Sequence, residues 1–214
     1  MIESLINFDT NLFLLINGMH SAYFDNFMYF FSGKSVWFPF YLSLIVALII
    51  YRKKQSFWII LALILCIVIA DQIASGFFKE WVKRLRPSHN ESLSDVIHLV
   101  NNYKSGLYGF VSSHAANTFG IALLSSLIFK NKLYSISVFS WAIITSYSRV
   151  YLGVHYPFDV VGGMFVGFFS AIVLFILLQK IEFFQYENKG IPALIPNIVL
   201  GISVIGIVVF SLII

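Results

Sequence analysis

Long apolar runs, separated by short polar connections, dominate the pattern of the chain. A helix that crosses a bilayer needs about 20 apolar residues, with a lower limit near 17. We therefore interpret residues 1–214 as one all-α domain, a membrane bundle of six spanning helices. The predicted spans are residues 35–51, 56–78, 114–130, 133–149, 158–180 and 192–214.

The N-terminal segment, residues 1–34, has a different pattern. Its apolar and aromatic stretch is interrupted by four polar residues, Asp9, Asn11, Asn17 and Asp25. These interruptions favour helices that lie on the membrane surface rather than cross it. Because the segment opens with an acid, Glu3, instead of a basic region, we do not expect a cleaved signal peptide.

The composition supports a membrane location. Of all residues, 59% are hydrophobic and only 11% are charged, whereas soluble domains carry roughly a quarter charged residues. The net charge of +4 indicates anionic lipid and topology signals, not nucleic acid, as the partner of such a chain. The single cysteine, Cys66, excludes an internal disulfide.

The long polar loop, residues 79–113, gives a conditional orientation, and we expect a short helix within it around 92–101. Lysines and arginines are distributed equally between the two faces of a six-span bundle. If Lys79, Arg86 and Arg149 serve a binding site and are left out of the count, the face opposite the loop carries more of the remaining lysines and arginines. The positive-inside rule then predicts that the loop is not cytoplasmic.

Three polar clusters share the face that carries this loop. In the first, KEWVKRLRP, residues Lys79, Lys83 and Arg86 would lie on one side of a continuing helix, and Pro87 disfavours helix at the residue before it. The alternative interpretation is an ordinary basic collar whose side chains reach lipid headgroups.

The second cluster, FVSSHAANTFG at 110–120, opens the third predicted span. Ser112 or Ser113 is a suitable N-cap, and the free amides of a helix N-terminus form an anion site. His114, in the first turn, would lie close to such an anion. A capping serine next to an interfacial histidine is the simpler alternative.

The third cluster, SRVYLGVHYPFD at 148–159, holds an arginine, a histidine and an aspartate. Pro157 fits the first turn of the fifth span. Asp159 could accept a hydrogen bond from the His155 ring and leave the other ring nitrogen free as a nucleophile. The alternative is a helix-capping aspartate beside a chance histidine. The nearby Arg149 makes this alternative weaker, because charges near a membrane usually have a function.

Together the clusters offer cations, two helix N-termini and two histidines, one of them with a carboxylate partner. Cations bind a tetrahedral anion, a paired histidine attacks it, and a second histidine protonates the leaving oxygen. This chemistry is phosphoryl transfer to water through a phosphohistidine, and it requires no metal and no cofactor. The other three histidines have no such neighbours in the sequence and are interpreted as solvated loop residues: His20, His89 and His98.

At these residues the chain resembles the type-2 phosphatidic acid phosphatases, membrane lipid phosphatases related to vanadium haloperoxidases. The family signature Lys-x6-Arg-Pro is matched in full within 79–87, and Ser-Arg-x5-His-x3-Asp is matched in full within 148–159. The middle signature, Pro-Ser-Gly-His, is matched in part by Val111-Ser112-Ser113-His114. If the family glycine serves a positive φ, a serine there costs about 1–2 kcal/mol.

The resemblance implies a role for each matched residue. His155 would be the nucleophile, Asp159 its orienting partner and His114 the general acid. The phosphate oxygens would be held by Lys79, Arg86, Arg149, Ser112 and the amide of Ser113.

Further residues are expected in supporting positions. Three would surround the phosphate site: Asp71 paired with a cation, Lys83 and Ser148. Gly163 and Gly167 form a small-xxx-small pair that predicts close helix packing.

The function expected from these observations is hydrolysis of a lipid phosphate or diphosphate, with the bilayer as the second partner. Phosphatidic acid, phosphatidylglycerol phosphate, undecaprenyl diphosphate and lipid A 1-phosphate all fit, and the oligomeric state is not predicted. The expected location is a bacterial inner membrane with the site on the periplasmic or extracellular face. The alternatives are an anionic-lipid transporter, an inactive lipid-phosphate binder and a haloperoxidase, the last disfavoured by the apolar spans.

Overall fold

The computed structural model describes residues 2–181 and 193–214 and is a bundle of helices, with no strand in that part of the chain. An isolated bridge between Leu85 and Tyr108 is the one β-type pairing recorded there. The helices are α1 (Ile2–Asn17), α2 (Ala22–Phe31), α3 (Phe38–Arg52), α4 (Ser56–Asp71), α5 (Lys79–Val82), α6 (Ser113–Phe129), α7 (Lys132–Tyr151), α8 (Pro157–Gln179) and α9 (Leu194–Ile213).

Three stretches are long and apolar enough to cross a membrane: Ser35–Val82, Pro157–Gln179 and Leu194–Ile213. The first stretch contains two of the predicted spans. Its helices α3 and α4 are separated by a turn at Lys53, whose φ is 45°, and pack against each other. The helix α6 is apolar but short. The helix α7 is less apolar because it buries several polar side chains, among them Thr145, Ser146, Ser148 and Arg149. Length and composition thus establish an all-α membrane-type protein but not the count of six.

The N-terminal segment is helical, as predicted, and its two helices pack on the rest of the bundle. The helix α1 packs on α7 and α8, and α2 packs on α7 and α9. Two of the polar residues that interrupt the apolar pattern, Asp9 and Asn17, are 0% and 1% exposed. They are buried because each binds backbone groups: Asp9 accepts a hydrogen bond from the Phe158 amide at 2.9 Å, and the Asn17 amide group donates to His98 and Tyr151 carbonyls at 2.8 Å.

The prediction of a helix around 92–101 is wrong. This part of the loop instead has two single 3₁₀ turns, Glu91–Leu93 and Val100–Asn102. Asn101 and Asn102 both have φ of 52°, which a continuing right-handed helix does not allow. The predicted span at 192–214 starts outside the described residues, and α9 accounts for most of it.

The contact between α6 and α8 is the most extensive helix pairing in the described part of the chain. A Cβ added at Gly163 would lie 2.3 Å from the Ser112 carbonyl oxygen, and one at Gly167 would lie 2.3 Å from the Ala116 carbonyl oxygen. Small residues let helix backbones approach this closely. The prediction of close packing at this glycine pair is confirmed.

We expect Gly167→Ala to destabilise the protein by about 1–3 kcal/mol, because the new methyl group meets backbone atoms that cannot move aside. The measurement is the thermal midpoint in detergent. Gly206→Ala, where an added Cβ meets no atom of the described residues within 4 Å, is the matched control and should keep the midpoint or raise it slightly, because alanine favours helix over glycine. Equal midpoints for the two variants would contradict the packing argument.

Candidate active site

The His155 side chain lies at the centre of the three polar clusters and is 1% exposed. Its Nδ1 atom lies 3.4 Å from Asp159 Oδ2, at the long end of a hydrogen bond. Its Nε2 atom faces Nη1 of Arg86. A guanidinium can only donate, so Nε2 accepts and Nδ1 carries the proton. The predicted contact with Asp159 is therefore present, and it leaves the Nε2 lone pair on the side of the cations.

Asp159 is held by the start of α8. Pro157 is the first residue of this helix, and the Asp159 carboxylate accepts the Tyr156 amide at 3.0 Å. A side chain that binds the amide before the helix is a capping arrangement. The same local signal that begins the helix thus orients the carboxylate towards His155.

Arg86 lies on an extended segment and not on a helix. The helix ends at Val82, Lys83 adopts a left-handed conformation with φ of 51°, and the Arg86 amide then donates to the Leu107 carbonyl at 3.0 Å. The Arg86 side chain is 4% exposed and donates to the Val154 carbonyl at 2.9 Å. Burial, and next the charge of Arg149, lower the pKa of Arg86 to about 10, so it stays protonated at neutral pH.

The break in the helix overturns the expectation that Lys83 shares a face with Lys79 and Arg86. Lys83 is exposed, and the neighbouring Arg84 enters the site instead. Arg84 Nη1 lies 3.1 Å from Asp159 Oδ1 and 2.7 Å from Asp9 Oδ2. The guanidinium carbon also lies 3.9 Å from the centre of the Tyr156 ring.

Sequence analysis therefore missed Arg84 and Asp9. Burial raises the pKa of Asp9, and hydrogen bonds from Phe158 and Arg84 partly offset that effect. A signal was present in each case: Arg84 belongs to the first basic cluster, and Asp9 is an acid in an apolar helix. Nothing in the sequence showed that the two would meet.

The second cluster brings Ser113 to Lys79. Lys79 Nζ donates to the hydroxyls of Ser75 at 3.0 Å and Ser113 at 3.3 Å. Ser112 is the N-cap of α6: its hydroxyl accepts the Ala115 amide at 3.4 Å, and its own amide donates to the Asp159 carbonyl at 2.8 Å. Ser113 has no positive φ, so the strain that a positive φ would impose on a serine does not arise.

His114 lies in the first turn of α6 and is partly exposed. No hydrogen bond to its ring occurs within residues 2–181 and 193–214. The charged side chains of Arg149, Lys34 and Arg86 act on it electrostatically, as does His155. The ring is therefore free to meet a ligand at the positive end of the site.

Arg149 closes the site from the end of α7 and is 2% exposed. Its guanidinium donates to the hydroxyls of Ser32 and Tyr103, the latter at 3.3 Å. It borders a cavity of about 320 Å³ that is also lined by Ser32, Gly33 and Tyr103. The Nε atoms of Arg86 and Arg149 are buried and have no hydrogen-bond partner among the described residues. Two buried guanidinium donors without an acceptor, one of them on an arginine that lines the cavity, indicate a site for an anion.

Two expected supporting residues lie outside this arrangement. Asp71 acts on Lys79 electrostatically but forms no ion pair with it within 4 Å, because the π-helical stretch Gln72–Phe78 changes the register between them. The Ser148 hydroxyl donates to the Thr145 carbonyl at 2.6 Å and is fully buried.

The electrostatics favour an uncharged His155. Burial, followed by the charges of Arg86 and Arg149, lowers the pKa of His155 well below its usual 6.5. The imidazole is therefore neutral at neutral pH, and its Nε2 lone pair, which here accepts from Arg86, could bind an electrophile that displaces Arg86. A neutral nucleophile surrounded by Lys79, Arg86 and Arg149 suits an electrophilic centre that carries negative oxygens, such as phosphorus in a phosphate ester.

Comparison with known sequences supports this chemistry. The sequence model of the PAP2 superfamily matches residues 57–183. The chain is 38% identical over 194 residues to the lipid A 4'-phosphatase of Bacteroides thetaiotaomicron, covering 90% of this chain and 86% of that protein. It is 37% identical over 167 residues to the lipid A 4'-phosphatase of Porphyromonas gingivalis, covering 77% and 70%.

Solved structures of related proteins have a similar fold. The crystal structure of Aquifex aeolicus LpxE matches with a TM-score of 0.58 at 28% identity, covering 78% of this chain and 94% of that one. The PAP2-type phosphatidylglycerolphosphate phosphatase of Bacillus subtilis matches with a TM-score of 0.64, covering 85% and 90%; at 20% identity this likeness concerns the fold alone.

The chain belongs to the PAP2 superfamily. The resemblance to the type-2 phosphatidic acid phosphatases is thereby confirmed, and so is the prediction of a metal-independent lipid phosphatase at the level of enzyme class.

The contacts of Arg84 predict that Arg84→Met moves the acidic limb of the pH profile of kcat/KM to higher pH by about one unit. Without Arg84 the Asp159 carboxylate is no longer compensated, and it then favours the protonated, non-nucleophilic form of His155. The measurement is phosphate release from a lipid phosphate across acidic pH.

Lys83→Met is the matched control, because it removes an adjacent positive charge that is exposed and lies outside the site. Its profile should coincide with that of the wild type. A lower rate for Arg84→Met with an unshifted profile would contradict an electrostatic role for Arg84.

Proposed function

We propose that this chain hydrolyses a phosphate monoester of lipid A, at the 4' position, through a covalent phosphohistidine. The observation that carries the proposal is the buried, neutral His155, whose Nε2 faces Arg86 while its Nδ1 faces Asp159, with the charges of Arg149 and Lys79 also acting on the ring. The lipid class and the position rest on the two lipid A 4'-phosphatases, which this chain resembles over most of its length.

In the first step the phosphate replaces the present partners of the cations. Arg86 leaves His155 Nε2 and, with Arg149 and Lys79, binds the non-bridging oxygens through charge-assisted hydrogen bonds. The unpartnered Nε atoms of the two arginines gain acceptors. The Ser113 hydroxyl, already beside Lys79, and the free amides of the first turn of α6 provide further donors.

Bond formation follows at Nε2. The lone pair of His155 attacks phosphorus while the bond to the ester oxygen breaks. Asp159 stabilises the positive ring by accepting from Nδ1, and it is kept in place by Arg84 and the Tyr156 amide. His114 gives its proton to the departing sugar oxygen, since the bound phosphate supplies negative charge that favours a protonated ring.

Water completes the cycle. The now neutral His114 takes a proton from water, whose oxygen forms a bond to phosphorus as the bond to Nε2 breaks. Inorganic phosphate leaves, and His155 returns to its neutral state. The same group thus acts first as acid and then as base, as microscopic reversibility requires for two chemically similar displacements.

We also propose the finer membrane arrangement: six spans, single-domain, in a bacterial inner membrane with the site facing away from the cytoplasm. The hairpin of α3 and α4 within one apolar stretch supports two spans there, and α6 to α9 would supply four. The clustering of Lys79, Arg86 and Arg149 in one site supports leaving them out of the charge count.

We expect His155→Ala to lose at least about 10⁴-fold in phosphate release from lipid A, because no nucleophile remains. His114→Asn should lose about 10²–10⁴-fold on the same substrate but much less on p-nitrophenyl phosphate, whose leaving group needs no proton. The measurement is released phosphate in detergent with chelator present. Lipid A phosphorylated at the 4' position alone should react faster than lipid A phosphorylated at the 1 position alone.

Each measurement tests a different part of the proposal. Equal losses of His114→Asn on both substrates would contradict the role as general acid. Full activity of His155→Ala would contradict the covalent mechanism, and a preference for the 1-phosphate would contradict the position.

The orientation predicts that Glu91→Cys is labelled by a membrane-impermeant maleimide in permeabilised-outer-membrane cells, whereas Lys54→Cys is not. Both positions are exposed, and the native Cys66 is 1% exposed and gives little background. The labelled fraction on a gel is the measurement, and the reverse pattern would invert the topology.

A further inference from the structure

A second polar cluster lies apart from the phosphate site and shares no residue with it. It consists of His20, Asp25 and His98, from the α1–α2 connection, the first turn of α2 and the long loop. His98 Nε2 lies 2.8 Å from Asp25 Oδ2, and the His20 and His98 rings are stacked with centres 3.9 Å apart. The interpretation of His98 as a solvated loop residue is therefore wrong, because its ring binds Asp25, whereas His20 is exposed in a connecting segment, as predicted.

The cluster is held by buried neighbours. The Asn17 side chain accepts the His98 amide and donates to the His98 carbonyl, both at 2.8 Å. The Tyr151 hydroxyl donates to Asp25 Oδ1 at 2.6 Å, which leaves Oδ2 directed at His98. A carboxylate whose second oxygen is fixed by an outer hydrogen bond is typical of metal ligands.

We propose that His20, Asp25 and His98 bind one divalent transition metal ion of the zinc type. Two imidazoles and one carboxylate are the donor set of three-ligand zinc sites, which leave a position for water. Calcium and magnesium prefer oxygen ligands only and do not fit. The ion would join the α1–α2 connection to the long loop, so it stabilises the fold without entering the phosphatase reaction.

The distances require only local adjustment. One ligand atom from each residue lies within 4.8 Å of the others, whereas ligand atoms on a tetrahedral zinc ion lie roughly 3.4 Å apart. A metal ion is bound in the plane of each imidazole, so the two rings cannot both bind while stacked. His20 is exposed, and rotation of its ring out of the stack brings a nitrogen towards Asp25 and His98.

The test is calorimetric titration of zinc chloride into tag-free, chelator-stripped protein in detergent, together with the thermal midpoint. We expect one ion per chain and a midpoint that rises with zinc, since a ligand of the folded state stabilises it. Magnesium and calcium should change neither. The affinity should fall at least about 100-fold in His20→Ala and in Asp25→Asn, because even the loss of an outer-shell partner costs roughly 10–100-fold.

His20→Ala is the decisive variant, because His20 is exposed and the hydrogen bonds of Asn17, Asp25 and Tyr151 do not involve it. His89→Ala is the matched control: His89 is a half-buried loop histidine whose Nε2 lies 2.8 Å from the Ser105 carbonyl oxygen. Absence of zinc binding by the wild type would overturn the proposal. Binding of equal strength in His20→Ala would overturn it as well, since the ion would then lie elsewhere.

Discussion

The site depends on the close approach of α6 and α8. Gly163 and Gly167 let the second helix lie against the carbonyls of Ser112 and Ala116, and this contact puts the Ser112 amide on the Asp159 carbonyl at 2.8 Å. Two helix N-termini are thereby fixed side by side. One carries His114 and the other carries Asp159, the partner of His155, so backbone packing contributes to how the two histidines are placed relative to each other.

A buried site of this kind has to keep several like charges together. Arg86 and Arg149 are each almost fully buried, and burial of unpaired charge is costly. The cost is reduced by hydroxyl and carbonyl acceptors for the cations and by Arg84 between the carboxylates of Asp9 and Asp159. What remains is an excess of positive charge around His155, which keeps the imidazole neutral and is available to an anionic ligand.

The sequence was informative where a residue acts through its own segment. Pro157 and Asp159 begin α8, Ser112 begins α6, and the glycine pair marks the helix contact; all of these follow from local rules of capping and packing. Contacts between distant segments could not be derived in this way. Arg84, not Lys83, lies in the site because the helix ends at Val82 and Lys83 adopts a left-handed conformation. Helix ends are poorly defined by apolar pattern alone.

The N-terminal helix shows that its polar interruptions also have structural partners that the sequence does not reveal. A polar residue in an apolar stretch is expected at a surface unless a partner is known, and the partners of Asp9 and Asn17 lie 75 or more residues away along the chain. Asp9 binds the Phe158 amide and Arg84, which orients the phosphate site; Asn17 binds His98 and Tyr151, which supports the histidine cluster. One helix therefore braces both polar clusters from opposite ends. A disturbance of α1 should consequently affect both sites, whereas occupation of either site should stabilise the docking of α1 on the bundle.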